Sequence, residues 1–259
     1  MSAREPAGSV SCEPRLRPSS QVPPEVLYQR RRQIPDRVNN SARRTYDLLR
    51  SSLVSTGRNM PLVERELTDA LSASRNTVRA VLQQLARDGL VTRGPKNGTQ
   101  GTGSILIPFN ELVPLLQGRM LECRTIACPP LVRDRLRLQD GRMVVMIETL
   151  LLEAGQAVGI SVSYVALPEG QSPDVDLDEP DVVLFIERKL GITISGCHTA
   201  TGAMAADDQT AEILGIDVGA PLLWVDDVIE DHDGQPLPLS QLRLRGDRVA
   251  FSAYAARSF

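Results

Sequence analysis

The chain has 259 residues, of which 42% are hydrophobic and 24% charged, which suits one or two domains with a sizeable core. Its net charge of −3 and pI near 5.6 would, for the chain taken whole, argue against a nucleic-acid-binding protein. Four cysteines without a CxxC pair, and only two histidines, exclude a zinc-type or His-rich site. We therefore expect neither a metal nor another cofactor.

Membrane insertion and secretion are also excluded at this level. No apolar run reaches the roughly 20 residues that a membrane-spanning helix needs. No signal peptide is recognisable, and the thiols show no disulfide-like pairing. These features predict a cytoplasmic protein without a membrane partner.

The charge is divided unevenly along the chain. The first 100 residues carry 17 Lys+Arg and 9 Asp+Glu, a net of +8, whereas the remainder carries 12 and 23, a net of −11. A basic first part and an acidic second part predict one module that faces phosphate groups and another that does not.

Residues 1–40 are rich in Pro, Ser and Arg and lack apolar periodicity, so they are expected to be disordered. Their arginines at 30–32 either contact the DNA backbone or belong to a solvated tail, and the sequence leaves both open. A first helix is predicted from about residue 41 to Thr56-Gly57. Its apolar residues at helical spacing are Ala42, Tyr46, Leu49 and Leu53.

Two further helices are predicted at Glu64–Leu71 and Ser74–Asp88, the second of them ended by Gly89. The Ser74 helix has one face with Arg75, Asn76 and Arg79, and an opposite face that is apolar. Guanidinium groups can bind guanine, and an asparagine amide can bind adenine, through paired hydrogen bonds. This helix therefore has the composition of a DNA recognition helix.

A basic hairpin follows the third helix. The pattern predicts two strands, Leu90–Arg93 and the residues from Thr99 onward, around a turn at 94–98. Three helices and this hairpin predict a winged helix-turn-helix domain over residues 41–103. Residues 104–117 are predicted to form a linker.

The remainder, residues 118–259, is predicted to be a domain of the α+β class, because antiparallel hairpins alternate with helices. Two strands surround the Ala154-Gly155 turn, and two surround Asp233-Gly234. The predicted strands are Arg142–Leu152, Gln156–Ala166, Ile192–Met204, Leu222–Glu230, Pro236–Arg245 and Val249–Ala255, and the predicted helices are Asp181–Leu190 and Ala206–Leu214.

Two stretches resemble known families. The segment ERELTDALSASRNTVRAVLQQLARDGLVTRGPKNGT resembles the DNA-binding domain of the GntR family of bacterial transcription regulators. The segments AADDQTAEILGIDVGAPLLWVDDVIEDHDGQPL and RLRGDRVAF are similar to the UTRA effector domain of the HutC subfamily. That resemblance implies an antiparallel-sheet fold like that of chorismate lyase.

The resemblance implies that double-stranded operator DNA is bound by residues of the second helix, the recognition helix and the wing. Asn76 is added for its adenine-binding chemistry, and Lys96 for its place in the basic turn. The full set of expected DNA-contacting residues is Arg65, Ser74, Arg75, Asn76, Thr77, Arg79, Lys96, Gly98 and Thr99. A homodimer that reads a pseudo-palindrome is expected, most simply a repressor released by a small molecule, with an activator left open.

The effector pocket is expected to depart from that of relatives that bind sugar phosphates. Thr149 and Leu151 occupy the positions of an Arg-x-Arg pair, and Ser161 that of a glutamate. Asp181 and Val183 stand at the start of the following helix. Without guanidinium groups a phosphate would be poorly held, so an apolar or neutral effector is predicted. The expected effector-binding residues are Thr149, Leu151, Ser161, Ser163, Tyr164, Asp181 and Arg245, although an ion-pair role for Arg245 is preferred.

Two other functions stay open at this stage. One is a constitutive DNA-binding protein whose second domain only dimerises. The other is a chorismate-lyase-like enzyme, but the sequence contains no recognisable acid–base or nucleophile constellation, and fold similarity alone is a weak argument for activity.

Overall fold

The computed structural model describes residues 42–56, 60–94, 98–108, 116–167 and 181–254. The predicted N-terminal extension and Lys96 lie outside the described residues. The helices are α1 (Ala42–Thr56), α2 (Glu64–Leu71), α3 (Arg75–Arg87), α4 (Pro130–Arg135), α5 (Val182–Leu184, continued as a π-helical turn over Phe185–Lys189) and α6 (Asp208–Leu214). The strands are β1 (Val91–Gly94), β2 (Gly98–Gly101), β3 (Ile105–Pro108), β4 (Gln117–Ala127), β5 (Met143–Glu153), β6 (Gln156–Ala166), β7 (Ile194–Ala205), β8 (Pro221–Asp231), β9 (Pro236–Arg245) and β10 (Val249–Ser252).

The three N-terminal helices share one apolar core. The apolar face of α3 packs against α1 and α2, and the residues buried there include Leu49, Leu67, Val78, Leu82 and Leu85. Burial of such side chains contributes about 1.5–3 kcal/mol each, which a short helix needs because its own hydrogen bonds are only marginally stabilising. The helices were predicted correctly from this spacing.

The wing is fastened to the loop that precedes α2. Strands β1 and β2 pair antiparallel from Val91↔Gly101 to Gly94↔Gly98. The backbone N–H of Leu62 donates to the carbonyl of Thr99 at 2.7 Å, and that of Gly101 donates to the carbonyl of Met60 at 3.0 Å. The wing therefore has a fixed position relative to α2 and α3.

The second domain is built on a six-stranded sheet with the strand order β4-β5-β6-β9-β8-β7, in which all neighbours pair antiparallel. The α+β class and the two central hairpins agree with the predicted fold. Strand β4 and helix α4 were not predicted. β4 is an edge strand whose residues are all exposed or only half-buried, so its sequence lacks the apolar alternation that reveals a strand.

The two faces of this sheet are covered by different elements. Helices α4 and α6 pack on one face, which we call the α6 face. On the other, the α5 face, the α5 segment covers one end, and strands β3 and β10 cover the opposite end. None of the described helices has the length and apolar character that a membrane span requires.

The predicted linker at 104–117 contains a strand. Its β3 pairs parallel with β10, from Val249↔Ile105 to Ser252↔Pro108. The backbone N–H of Thr102 donates to Leu90 of the winged helix, and that of Ile105 donates to Arg248 of the sheet domain. Only two residues separate these anchoring hydrogen bonds, so the described part of the connection is short and tethered at both ends.

Candidate DNA-binding and effector sites

The exposed face of α3 presents the side chains that the sequence pattern singled out. Arg75, Asn76 and Arg79 are exposed, while Val78 is fully buried beneath them. Ser74 caps the helix, since its Oγ accepts a hydrogen bond of 3.1 Å from the backbone N–H of Thr77. The Ser74 Oγ and Thr77 Oγ1 atoms are also 2.9 Å apart. This geometry leaves the start of α3 open to solvent and structurally defined.

A carboxylate lies beside these arginines, and the sequence analysis did not identify it as a site residue. Glu64, the first residue of α2, accepts from Arg79 Nε at 2.8 Å and lies 3.4 Å from Arg93 Nη2 of β1. Its hydrogen bond and charge raise the pKa of Arg79 further above the ordinary value. Glu64 therefore links three elements of the winged helix and orients Arg79. The sequence shows a glutamate at position 64, but it does not show that this residue lies within hydrogen-bond distance of Arg79.

The other expected DNA-contacting residues lie around α3. Arg65 is exposed on α2, next to Glu64 in the chain. Gly98 begins β2 with a φ of 66°, a left-handed conformation that suits glycine, and Thr99 follows it. Arg65 and Gly98 are thus exposed like the start of α3, and Thr99 is half-buried.

Four of the expected effector residues lie on the α5 face, where strand alternation brings three of them together. Thr149 pairs with Ser161 across β5 and β6, and Ser163 pairs with Ser240 of β9. The Oγ atoms of Ser163 and Ser240 are 2.8 Å apart in a buried contact. Leu151 lies near them in a cluster with Ile105, Ile107, Leu242 and Val249.

A half-buried carboxyl group completes this region, and the sequence analysis did not identify it as a site residue. Asp227 of β8 pairs with Ser240 in the strand register and accepts a hydrogen bond of 2.6 Å from Thr199 Oγ1. Burial raises the pKa of Asp227 above the ordinary aspartate value. We call Thr149, Ser161, Ser163, Asp227 and Ser240 the serine patch.

The neighbouring thiol is not a reactive group. Cys197 Sγ is 3.5 Å from Thr199 Oγ1, and burial raises its pKa to about 11, so it remains a thiol at neutral pH. Among the described residues, no group of three or more His, Cys, Asp or Glu side chains is arranged to hold a metal ion.

Two further expected effector residues, Asp181 and Arg245, have structural partners of their own. Asp181 caps α5, since its Oδ1 accepts from the backbone N–H groups of Val183 and Leu184 at 2.9 and 3.0 Å. Arg245 is paired with Asp247, with Nη2 to Oδ2 at 2.8 Å, and its Nη1 donates to the carbonyl of Ala157. The contact between Arg245 and Asp247 is an ion pair of the structural kind that was preferred for Arg245.

Tyr164 lies on the opposite, α6 face, as alternation along β6 requires when Ser163 points to the α5 face. There it lines a cavity of about 540 Å³ between the sheet and α6. The polar and aromatic lining includes Glu148, Tyr164, Trp224, Asp226, Gln241 and Arg243. The sequence reading assigned only Tyr164 of these to a binding site.

An arginine-bearing helix exposed on a winged helix-turn-helix, joined to a sheet domain with a cavity, defines the class of ligand-responsive DNA-binding regulators. The comparisons with known proteins agree. Residues 41–100 match the family described as bacterial regulatory proteins, gntR family, and residues 116–250, more than half of the chain, match the UTRA domain. The chain belongs to the GntR family and carries a UTRA domain. It is a transcriptional regulator, not an enzyme.

Similar proteins match this chain over most of its length. The HTH-type transcriptional regulator Rv0792c of Mycobacterium tuberculosis is 28% identical over 75% of this chain and 77% of its own length. The HTH-type transcriptional repressor PhnF of Mycolicibacterium smegmatis is 26% identical over 73% of this chain and 82% of its own. The crystal structure of PhnF superimposes with a TM-score of 0.57 at 21% identity, covering 83% of this chain and 100% of that one, which shows a shared fold.

Proposed function

We propose that this regulator is a cytoplasmic homodimeric repressor, which binds a pseudo-palindromic operator through α3 and the wing and is released by a small neutral or apolar molecule bound at the serine patch. The observation that carries the DNA part is the division of α3. Arg75, Asn76 and Arg79 are exposed, and the opposite face is fully buried. Such a helix presents hydrogen-bonding groups to a major groove without losing its core contacts.

The dimer follows from the size of the DNA-binding module. One winged helix covers a small protein–DNA interface, whereas specific operators are bound with interfaces of about 1,000–2,500 Å². Two copies related by a twofold axis would match the two halves of a pseudo-palindrome. Repressor function is supported by the name of the relative PhnF, which is a transcriptional repressor.

The effector class follows from the chemistry of the serine patch. It offers hydroxyl groups that donate and accept hydrogen bonds, and it contains no lysine or arginine. The carboxyl group of Asp227, half-buried beside Ser240, would repel a phosphate dianion. A neutral molecule with a few hydroxyl or carbonyl groups is compatible with both features.

The DNA part is tested by footprinting on the promoter upstream of the regulator's own gene. Arg75→Ala and Arg79→Ala should each lose about 1–3 kcal/mol of specific binding and relax base preference. Arg135→Ala, an exposed arginine on α4, is the control and should bind like wild type. Wild-type protection by both α3 variants at matched salt would contradict the assignment of α3.

The effector part is tested by thermal shift and operator release across a metabolite panel that includes glucosamine 6-phosphate. A neutral or apolar compound should raise the Tm and release the DNA, and Ser161→Ala with Ser163→Ala should weaken its binding. Release by the phosphosugar at low concentration would overturn the effector class. Operator binding that no compound changes would instead support a constitutive DNA-binding protein.

A further inference from the structure

The cavity on the α6 face is separate from the serine patch. The two groups of side chains alternate along the same strands, so the sheet itself lies between them. The cavity volume of about 540 Å³ falls within the range of about 300–1,000 Å³ that is typical of small-molecule sites. None of the serine patch residues lines it.

The floor of the cavity contains a row of side chains that crosses four strands. In the strand register Glu148 pairs with Val162, Val162 with Gln241, and Gln241 with Asp226. Adjacent strands are about 4.8 Å apart, so the backbones of the two acidic residues are separated by about 14 Å. The row therefore has a carboxylate at each end, with an apolar and an amide side chain between them.

These carboxylates are available to a ligand. The side chains of Glu148 and Asp226 have neither a hydrogen-bond nor an ion-pair partner within the described ranges, although both line the cavity and are half-buried. A carboxylate that is partly removed from water without a partner gains more from a cation than a fully solvated one does, because the local dielectric constant is lower.

The single cationic side chain of the lining, Arg243, is already engaged. Its Nη1 contacts Asp207 and lies 2.6 Å from Thr210 Oγ1. Asp207 also caps α6, since it accepts from the backbone N–H of Thr210 at 2.7 Å. Arg243 thus fixes the start of α6 over the sheet, and its charge is balanced by Asp207. The charge left for a ligand is that of the two carboxylates.

An aromatic wall completes the cavity. Trp224 pairs with Gly202 of β7, and a Cβ atom on Gly202 would be only 2.6 Å from the indole ring. The missing side chain of Gly202 therefore lets the indole lie against the backbone of β7. Tyr164 lines the cavity one pleat away from Val162 on β6. Aromatic faces attract cations and also pack against apolar groups.

From these observations we infer that the cavity binds an organic amine in its protonated form, with the ammonium group on Glu148 or Asp226 and an apolar or aromatic body against Trp224. This would be a second ligand site of the UTRA domain, on the face of the sheet opposite to the effector site proposed above. It does not depend on that site or on DNA binding.

The chain itself provides the measurement, because Trp224 is its only tryptophan. Full-length protein is titrated with 2-phenylethylamine while the Trp224 fluorescence is followed, with isothermal titration calorimetry in parallel. Two probes of similar shape, 2-phenylethanol and 3-phenylpropanoate, are neutral and anionic. We expect saturable binding of the amine, with the alcohol at least tenfold weaker and the carboxylate weaker still.

Variants locate the site. Glu148→Gln and Asp226→Asn keep the side-chain shape, and at least one of them should weaken amine binding tenfold or more. Glu212→Gln, on the exposed side of α6 and outside the lining, is the matched control and should bind like wild type. Circular dichroism establishes that each variant is folded.

Three results would overturn the inference. One is equal binding of amine and carboxylate probes, and another is unchanged amine binding in both cavity variants. The third is a change of oligomeric mass in those variants without any response of wild type to the amine, since that would identify this face as a subunit interface. Operator binding is not part of the measurement, so its failure would not affect the result.

Discussion

Glu64 is shared by two arginines that come from different elements of the winged helix, Arg79 on α3 and Arg93 on β1. Carboxylates on a surface that faces DNA carry a cost, since they repel phosphate. Here the gain is geometric, because a hydrogen bond of 2.8 Å restricts a side chain that otherwise has many rotamers. We interpret Glu64 as a residue that orients Arg79 and, in doing so, lowers the affinity of the protein for DNA of any sequence.

Glu64→Gln should therefore bind nonspecific duplex more tightly and discriminate less well between operator and nonspecific DNA. Removal of one negative charge should steepen the dependence of log K on log salt by about 0.9. Fluorescence anisotropy at several salt concentrations measures both effects. Glu66→Gln, on the same helix but without an arginine partner among the described residues, should change the salt dependence alone. Full discrimination by Glu64→Gln would contradict this role.

Asp227 illustrates a different balance on the α5 face. Its pKa is raised chiefly by burial, and the hydrogen bond from Thr199 opposes that shift only in part. For an acid with a raised folded-state pKa, the stabilisation is present below the unfolded pKa and is lost as the pH rises through the folded pKa. At neutral pH the folded protein therefore carries an unfavourable, half-buried charge at Asp227.

Asp227→Asn should be more stable than wild type at pH 7, because the amide keeps an acceptor for Thr199 without the charge. A gain of about 1 kcal/mol would raise the Tm by about 2–4 °C in a domain of this size. Differential scanning calorimetry should show this gain shrinking as the pH falls toward 4. Asp217→Asn, in an exposed turn, should show no such pH-dependent gain. A lower Tm for Asp227→Asn at pH 7 would refute the argument.

At the level of single site residues, the sequence predicted which face of the sheet a side chain of one strand lies on. It did not predict which residues of different strands lie side by side. Alternation correctly separates Ser163 from Tyr164. The tight turn between β5 and β6 would by itself pair Thr149 with Ile160, and the irregularity between Leu151 and Leu152 shifts the register so that Thr149 pairs with Ser161 instead. Asp227 and Ser240 come from later strands, whose register against β6 depends on the whole sheet. No local pattern indicates that they adjoin Ser163.

At the level of elements, those with strong periodicity or a defined turn were predicted well. Helices α2 and α3 and strands β6 and β9 have the expected bounds to within a residue. The elements that were missed lack a pattern of their own. Strand β3 is only four residues long and is stabilised by pairing with β10, about 140 positions later in the sequence. Tertiary pairing decides its conformation, and a sequence window does not contain that information.

The start of α3 provides a test at this level. Ser74→Ala removes the cap of α3 and should destabilise the winged helix by about 0.5–2 kcal/mol, while Ser74→Asn should restore most of that loss. Urea unfolding followed by far-UV circular dichroism measures the difference, since α1–α3 carry most of the described helix. If Ser74→Ala unfolds at the wild-type urea concentration, the cap is unimportant. Operator affinity of the asparagine variant then shows whether the hydroxyl also contacts DNA.

At the level of the whole molecule, the two modules are connected through β3 and β10. Thr102 is bonded to the winged helix through Leu90 and also through the carbonyl of Gly89, at 2.9 Å from its Oγ1. Ile105 and Ile107 pack with Leu151 beside the serine patch. A ligand that shifts Leu151 would therefore act on a strand that begins three residues after Thr102, where the winged helix is anchored. This gives a physical route by which a ligand could bias the placement of α3.

Lengthening that connection should uncouple the modules. Insertion of Gly-Ser-Gly-Ser between Gly103 and Ser104 leaves both cores intact and adds a flexible segment to the connection between the winged helix and the sheet domain. Operator affinity should fall only modestly, because the closure cost of a short flexible segment grows slowly with length. The effector that releases wild type from DNA should release this variant at least tenfold less effectively, as measured by anisotropy with labelled operator. The same insertion in the exposed Asp140-Gly141 turn should leave release unchanged. Undiminished release by the connector variant would show that the signal does not travel through β3.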